Sequence, residues 1–423
     1  MKSSSFPLLA LAFVTAGLSV VPATAQDLLR GETVLQRRRP EVEQLGVRLG
    51  SFLVLPRLEA EETYDSNVFA TQTDLSGDWI FHTRPQIDIR SDWNQHSLTF
   101  SGEADVARNA RFSSEDYNDY RFNLGGRFDV HHDAALAGEA FYRHRHESRG
   151  DPDQPSNYRS PVTYAVTGGE MSYTQSFNRL RGRLSASGSH YAYDNATQVN
   201  GAPAPQKDRD RWDFGPTARV GYEFIDGYEG FVQGTYAVSE HDMTRDYGGV
   251  DRDSTGYEAV VGTSVDLTGL VTGEFFLGYL TKNYQDSQLK DFSGLALGGR
   301  VNWAVTQLTT VTGSLTRRVL ETSNANPVTG GGTASYERTV VALGVDHELL
   351  RSLLLNGRAQ ARFDHFTGIS RDDDVYTVSG GLTYLINRNL YLTGNYTFER
   401  RNSTISGIAY SDHLVFLRLG SQF

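Results

Sequence analysis

The chain has 423 residues, a formal net charge of -11, 39% hydrophobic residues and no cysteine. The acidic balance argues against nucleic acid as a partner. The lack of cysteine excludes a disulfide scaffold, a thiolate metal site and a cysteine nucleophile.

Residues 1–25 read as a secretory signal peptide. Lys2 supplies the positive start, Phe6 to Val21 the apolar core, and Ala23-Thr24-Ala25 the small-residue cleavage site. Pro7, Gly17 and Pro22 break that core, against a retained membrane helix. Residues 26–49 form a polar tail, expected in the periplasm, with Arg37-Arg38-Arg39-Pro40. A solvated tail is the expectation. Contact of its arginines with anionic headgroups or a periplasmic partner is the alternative.

From 50 to 423 one unit recurs: 10–15 alternating residues, then a connection. Short connections fall at 92–95, 132–134, 177–179, 225–227, 268–269, 304–307, 350–352 and 387–389. Long ones, rich in Gly, Asp, Asn, Ser and Pro, fall near 70–77, 109–116, 149–162, 194–211, 243–254, 286–291, 322–335, 367–373 and 402–408. Short turns on one side and long loops on the other lay out an all-β, transmembrane, antiparallel up-and-down β-barrel. The count predicts eighteen strands, with both ends in the periplasm. Sixteen is the alternative, because segments near 51–66 and 163–176 alternate less cleanly. The mean hydropathy of -0.43 does not exclude a membrane, since only alternate barrel residues meet lipid.

The two faces can be read along each segment. Over 79–91, Trp79, Phe81, Ile87 and Ile89 go outward, and His82, Arg84, Gln86, Asp88 and Arg90 inward. Over 120–130, Phe122, Leu124, Phe128 and Val130 go outward, against Arg121, Asn123, Arg127 and Asp129. Aromatics near segment ends (Trp79, Trp93, Tyr142, Trp212, Tyr222, Tyr279, Trp303, Tyr336 and Tyr384) suit an interfacial girdle. The last segment sends Val415, Leu417, Leu419 and Phe423 one way and Arg418, Gly420 and Gln422 the other. A final strand ending on an apolar-facing aromatic resembles the closing strand of bacterial outer-membrane barrels. That resemblance implies that Phe423 is part of the signal read by the barrel-assembly machinery.

Several stretches resemble one family. They are Arg37 to Phe52, Leu58-Glu59, and Glu62-Thr63-Tyr64-Asp65-Ser66-Asn67-Val68-Phe69-Ala70. Further on come Gly256-Tyr257-Glu258, Asp346-His347-Glu348-Leu349-Leu350-Arg351 and Ile386-Asn387-Arg388-Asn389-Leu390-Tyr391-Leu392. Together they resemble the putative β-barrel porin 2 family of outer-membrane proteins. The resemblance implies the fold and a place in the cell outer membrane, against lipid and lipopolysaccharide. It supplies no catalytic residues.

Barrels of sixteen to eighteen strands generally enclose an aqueous channel. The inward parity gives Arg84, Arg90, Arg121, Arg127, Arg181, Arg183, Arg219, Arg300, Arg358, Arg362 and Arg418 as pore-lining candidates. Against them stand Asp88, Glu103, Asp105, Asp129, Asp213, Glu223, Glu258, Asp266 and Glu274. Facing rows of opposite charge would set a transverse field. Pairing between neighbours is the plainer expectation. Loops 149–162 and 194–211, stiffened by proline, are candidates to narrow the pore, or plain surface loops.

The function expected is passive diffusion of small polar solutes, with no cofactor, metal or covalent chemistry. An exit port for exopolysaccharide, working with a periplasmic export partner, is the main alternative. A lipid hydrolase is a minor one. It rests on His146 and Ser148, which resemble the His-x-Ser pair of outer-membrane phospholipases and whose parity predicts side chains toward lipid. Arg149 stands where those enzymes carry Asn. Asp372-Asp373-Asp374 reads as a solvated loop and not as a calcium site.

Overall fold

The structure, a computed structural model, describes residues 32–37, 39–154, 157–267, 269–322 and 335–423. The expected signal peptide lies outside the described residues. So do Arg38, Pro155, Thr268 and nearly all of the expected loop near 322–335.

Eighteen strands form the wall. In chain order they begin with β1 Phe52–Asp65, β2 Asp78–Ser91, β3 Ser97–Asn109, β4 Tyr117–His131, β5 Ala134–His146 and β6 Thr163–Phe177. Next come β7 Leu180–Tyr193, β8 Arg211–Ile225, β9 Tyr228–His241, β10 Ser254–Leu267, β11 Val271–Tyr284 and β12 Phe292–Thr306. The ring ends with β13 Thr309–Glu321, β14 Ser335–Leu350, β15 Leu353–Phe366, β16 Asp372–Leu385, β17 Leu390–Ser403 and β18 Tyr410–Gln422. The two segments with weak alternation are full strands, β1 and β6, so the count is eighteen and not sixteen.

Each strand pairs antiparallel with its chain neighbours. β18 pairs with β1, Arg57 opposite Gln422 through to Asp65 opposite Leu414. Closure removes the sheet edge, whose unpaired N–H and C=O groups would each cost several kcal/mol in hydrocarbon. The seam is also tied from inside. Arg418 Nε on β18 donates to Glu61 Oε2 of β1 at 2.6 Å, and Arg84 Nη1 of β2 donates to the same oxygen at 2.7 Å. The Tyr391 hydroxyl of β17 reaches over Gly420 of β18 to Glu59 of β1. A Cβ at Gly420 would meet the Tyr391 ring at 2.0 Å, so this bridge requires glycine there.

The tight turns are local chemistry. Asp226-Gly227 joins β8 to β9 in two residues, with Gly227 at φ 80° and its Cβ position 2.4 Å from the Asp266 carbonyl oxygen. Asp-Gly suits a hairpin turn that needs positive φ. Asn178, at φ 55°, does the same between β6 and β7.

Large apolar side chains stay exposed in bands: Phe122, Leu124, Phe128 and Val130 on β4, and Val415, Leu417 and Leu419 on β18. Such an unbroken apolar exterior is a lipid-facing surface. Trp79, Trp93, Trp212, Tyr222, Tyr279, Trp303 and Tyr384 are exposed as a girdle requires. Tyr336 is not. It is 6% exposed, on the interior face, packed with Leu320 and Phe366. Its position near a strand end was the only girdle signal, and parity overrides it.

The tail also departs from expectation. Val34 is fully buried, and its N–H donates to Thr310 Oγ1 at 3.0 Å. Arg39 Nη2 donates to Glu348 Oε2 at 2.7 Å and to the Val34 carbonyl at 2.8 Å, and Arg37 bonds the Gln307 carbonyl. Gln422 and Arg388 reach the Val42 and Pro40 carbonyls. Residues 33–37 and 39–42 therefore lie across the short-turn mouth, held by β13, β14 and β18. Val47–Leu49 then folds back on the start of β1. Interior carboxylates and amides that no local pattern reveals replace water as partners for the tail.

Candidate functional site

The lumen is the only large concave space an eighteen-strand ring must make, and its contents decide what it can do. The pore-lining candidates all fall on the interior parity of their strands, opposite the exposed apolar residues. They do not form facing rows. Arg84 meets Glu61 and Asp105, Arg121 meets Glu103, and Arg127 meets Asp129. Arg183 meets Glu170 at 2.9 Å, and Arg181 meets Glu229 at 3.5 Å. Arg219 meets Glu274 at 2.9 Å and lies over the Phe231 ring. Arg358 pairs with Asp346, Arg362 with Asp364, and Arg418 with Glu61 and Glu59. Glu223 accepts the Gly227 N–H at the turn. Arg90, Asp88 and Glu258 lie on the interior face. Arg300 makes no ion pair among the described residues. Neighbours on adjacent strands sit about 5 Å apart, so pairing there outcompetes a field across a wide water-filled gap.

The long-loop end is narrowed. Residues 147–154 leave the top of β5 and turn into the barrel, and residues 157–162 lead into β6. Arg401 Nη1, on the β17 wall, donates to the Gly150 carbonyl at 2.8 Å. Thr322 Oγ1, beyond β13, donates to Asp153 Oδ1 at 2.5 Å. Arg149 clamps Glu115 of the β3–β4 loop with bonds of 2.8 and 2.7 Å. The second proline-bearing loop joins the first: Arg159 N–H donates to the Thr197 carbonyl at 2.8 Å, and Gln206 Nε2 to the Tyr158 hydroxyl at 2.9 Å. The two loops singled out in the sequence are thus one unit lodged against the wall.

Arg209 is the hinge of that unit. It is 7% exposed, bonds Glu147 through both terminal nitrogens, and lies 4.0 Å from the Tyr193 ring centroid. Burial pushes the Glu147 carboxyl up to about 7 against the pull of Arg209, and Asp153 and Asp151 add to the rise. Glu147 and its neighbouring acids hold the Arg209 guanidinium firmly charged. A cavity of about 70 Å³ lies between this unit and the wall (Arg211, His241, Tyr336, Arg338).

Sequence reading missed Arg338, whose Nε and Nη2 donate to Asp364 at 2.6 and 2.8 Å. The same parity count reaches both residues, and also Arg401. Glu147 and Arg209 carry no sequence signal. The acid run is corrected: Asp373 is 1% exposed at the start of β16, binding Arg371 Nη2 at 2.6 Å. Three consecutive acids in a strand point to alternate faces, so only Asp373 is buried. The lipid-facing expectation for His146 also fails. Its ring stacks on Tyr117 at 3.8 Å and its Nδ1 lies 3.0 Å from both Asp119 oxygens. Parity breaks at the strand's last residue, where the chain turns inward. Arg149, in the position of the missing Asn, is committed to Glu115. No group of His, Asp or Glu able to hold a metal occurs among the described residues.

The sequence matches the family described as putative beta-barrel porin 2 over residues 39–423. The chain belongs to that family. It is a porin-like barrel of the bacterial outer membrane. No curated protein sequence matches it. Among solved structures it is similar to Pseudomonas aeruginosa OccK2 (OpdF), at 12% identity and TM-score 0.47, covering 89% of this chain and 98% of that one. OpdO, also of Pseudomonas aeruginosa, is similar at 12% identity and TM-score 0.45, covering 89% and 98%. OpdK of the same organism follows at 11% and 0.43, covering 88% and 99%. Likeness at this level assigns no function.

Proposed function

We propose that this porin-family barrel passes small polar solutes by diffusion, through a lumen constricted at one end by the loop unit and at the other by residues 33–37 and 39–42. The observation that supports this most is the loop at 147–162, held inside the barrel by Arg401, Thr322 and Arg209. An inward loop sieves by size and leaves the chemistry of passage to the charged wall. Nothing in the mechanism needs a cofactor.

The export-port reading loses its docking device, because Arg37 and Arg39 bind the barrel's own Gln307 and Glu348. The hydrolase reading loses its geometry, because His146 is turned to Asp119 and Tyr117. The test is single-channel conductance of the refolded protein in planar bilayers. Stable openings in KCl, enlarged when 149–160 is replaced by a short Gly-Ser turn, support the reading. A correctly folded barrel that stays silent with and without the loop rejects it.

A further inference from the structure

Below the loop unit, the short-turn half of the lumen holds a separate cavity of about 440 Å³. This volume lies in the range of small-molecule sites. Its walls come from β1 and from β12 to β18, and its floor is the tail segment carrying Leu35 and Arg39. Four arginines line it: Arg39, Arg57, Arg300 and Arg358. Among the described residues no carboxylate side chain does. The rest of the polar lining is hydroxyl and amide.

The charge is only partly compensated from behind. Arg39 is held by Glu348 and Arg358 by Asp346, and neither acid faces the cavity. Arg57 has one long bond, 3.4 Å to the neutral Gln86 Oε1, and no carboxylate within ion-pairing distance among the described residues. Arg300 has no ion pair there either. Three buried atoms of lining residues have no hydrogen-bond partner among the described residues: the Nε of Arg39, a side chain only 8% exposed, the Nε of Arg57 and the Oδ1 of Asn356. Elsewhere in this lumen Arg84, Arg121, Arg127, Arg183 and Arg219 each sit against a carboxylate. A buried polar group without a partner is costly, so a lining of this kind favours a ligand that completes it.

We propose that this cavity is a binding subsite for small hydroxylated organic anions. The negative group sits in the field of Arg57, Arg300 and Arg39, and the hydroxyls meet the neutral wall. Guanidinium groups suit carboxylates because their forked donors match two oxygens. The tail is part of the site, since Arg39 comes from it. This deepens the channel reading and rests on it: the anion is a class of solute held on its way through.

The test separates the two. Isothermal titration calorimetry of the folded protein in detergent uses gluconate as probe and sorbitol as its neutral match. The expected result is saturable gluconate binding, none for sorbitol, and at least tenfold weaker gluconate binding in the R57Q/R300Q variant. Heat-modifiable migration on gels confirms that the variant is folded. If the double variant misfolds, R300Q alone serves, because that guanidinium breaks no ion pair. No gluconate binding by folded wild type, equal binding of sorbitol, or unchanged binding in the variants overturns the proposal. Conductance in KCl is read separately. A conducting barrel that binds no gluconate loses only the subsite, and a silent barrel that binds it loses only diffusion.

Discussion

Arg401 and Gly150 are 251 residues apart in sequence and joined by one hydrogen bond of 2.8 Å, from a guanidinium on the β17 wall to a loop carbonyl that left the barrel at β5. This bond ties the loop to a wall strand six places round the ring from the strand it leaves. Asp373 is near enough to share the Arg401 charge, and the Tyr410 ring lies beneath it.

Arg401→Ala removes that anchor. A hydrogen bond to a charged group contributes about 1.5–3 kcal/mol, which corresponds to on the order of ten- to a hundredfold in the population of the loop-out state. Single-channel records should show larger and noisier openings than wild type. Unaltered records would mean that Thr322 and Arg209 hold the loop by themselves.

The Glu147–Arg209 hinge makes loop closure depend on pH. Burial raises the Glu147 carboxyl from 4.5 to about 7, and the groups around it are Arg209, Asp153 and Asp151. A raised carboxylate stabilises the packed state fully below pH 4.5, and that contribution is lost as pH rises through about 7. Mean conductance should therefore rise between about pH 4.5 and 7 and level off above that. Glu147→Gln should flatten this step, and a profile identical in both proteins would assign the pH dependence to other groups.

Asp364 neutralises two guanidinium groups, Arg338 through bonds of 2.6 and 2.8 Å and Arg362 at 3.3 Å. Its side chain is fully buried. Removing one partner of a buried pair costs about 3–5 kcal/mol because the other charge is left uncompensated. Asp364→Ala should lower the temperature of heat-modifiable unfolding more than Arg338→Ala, which leaves Asp364 with Arg362. The reverse order would show that Asp364 finds no compensation in Arg362.

Leu124 lies midway along β4 on the exposed apolar face, and Asn123 next to it faces inward. Leu124→Arg should cost about 2–4 kcal/mol, as expected for a cation at the bilayer midplane. Asn123→Arg should cost far less. Urea unfolding in lipid vesicles measures both, and equal costs would place Leu124 away from the hydrocarbon.

The barrel itself was legible in the chain because its rules are local. A period of two decides which face each strand residue takes, and Asp226-Gly227 or Asn178 carries its turn in one or two residues. The same period puts Arg84, Arg127 and Arg219 inside, and it applies equally to Arg338 and Arg401. Partners were not legible. That Glu147 binds Arg209, that Arg401 reaches Gly150, and that Arg39 turns into the lumen to meet Glu348 depend on which loops and tail fold inward. A loop with Pro, Gly and Asp satisfies its polar groups in water as well as in protein. Only closure of the ring, which brings β5, β13 and β17 around one narrow space and excludes water from it, makes the inward arrangement the one with partners.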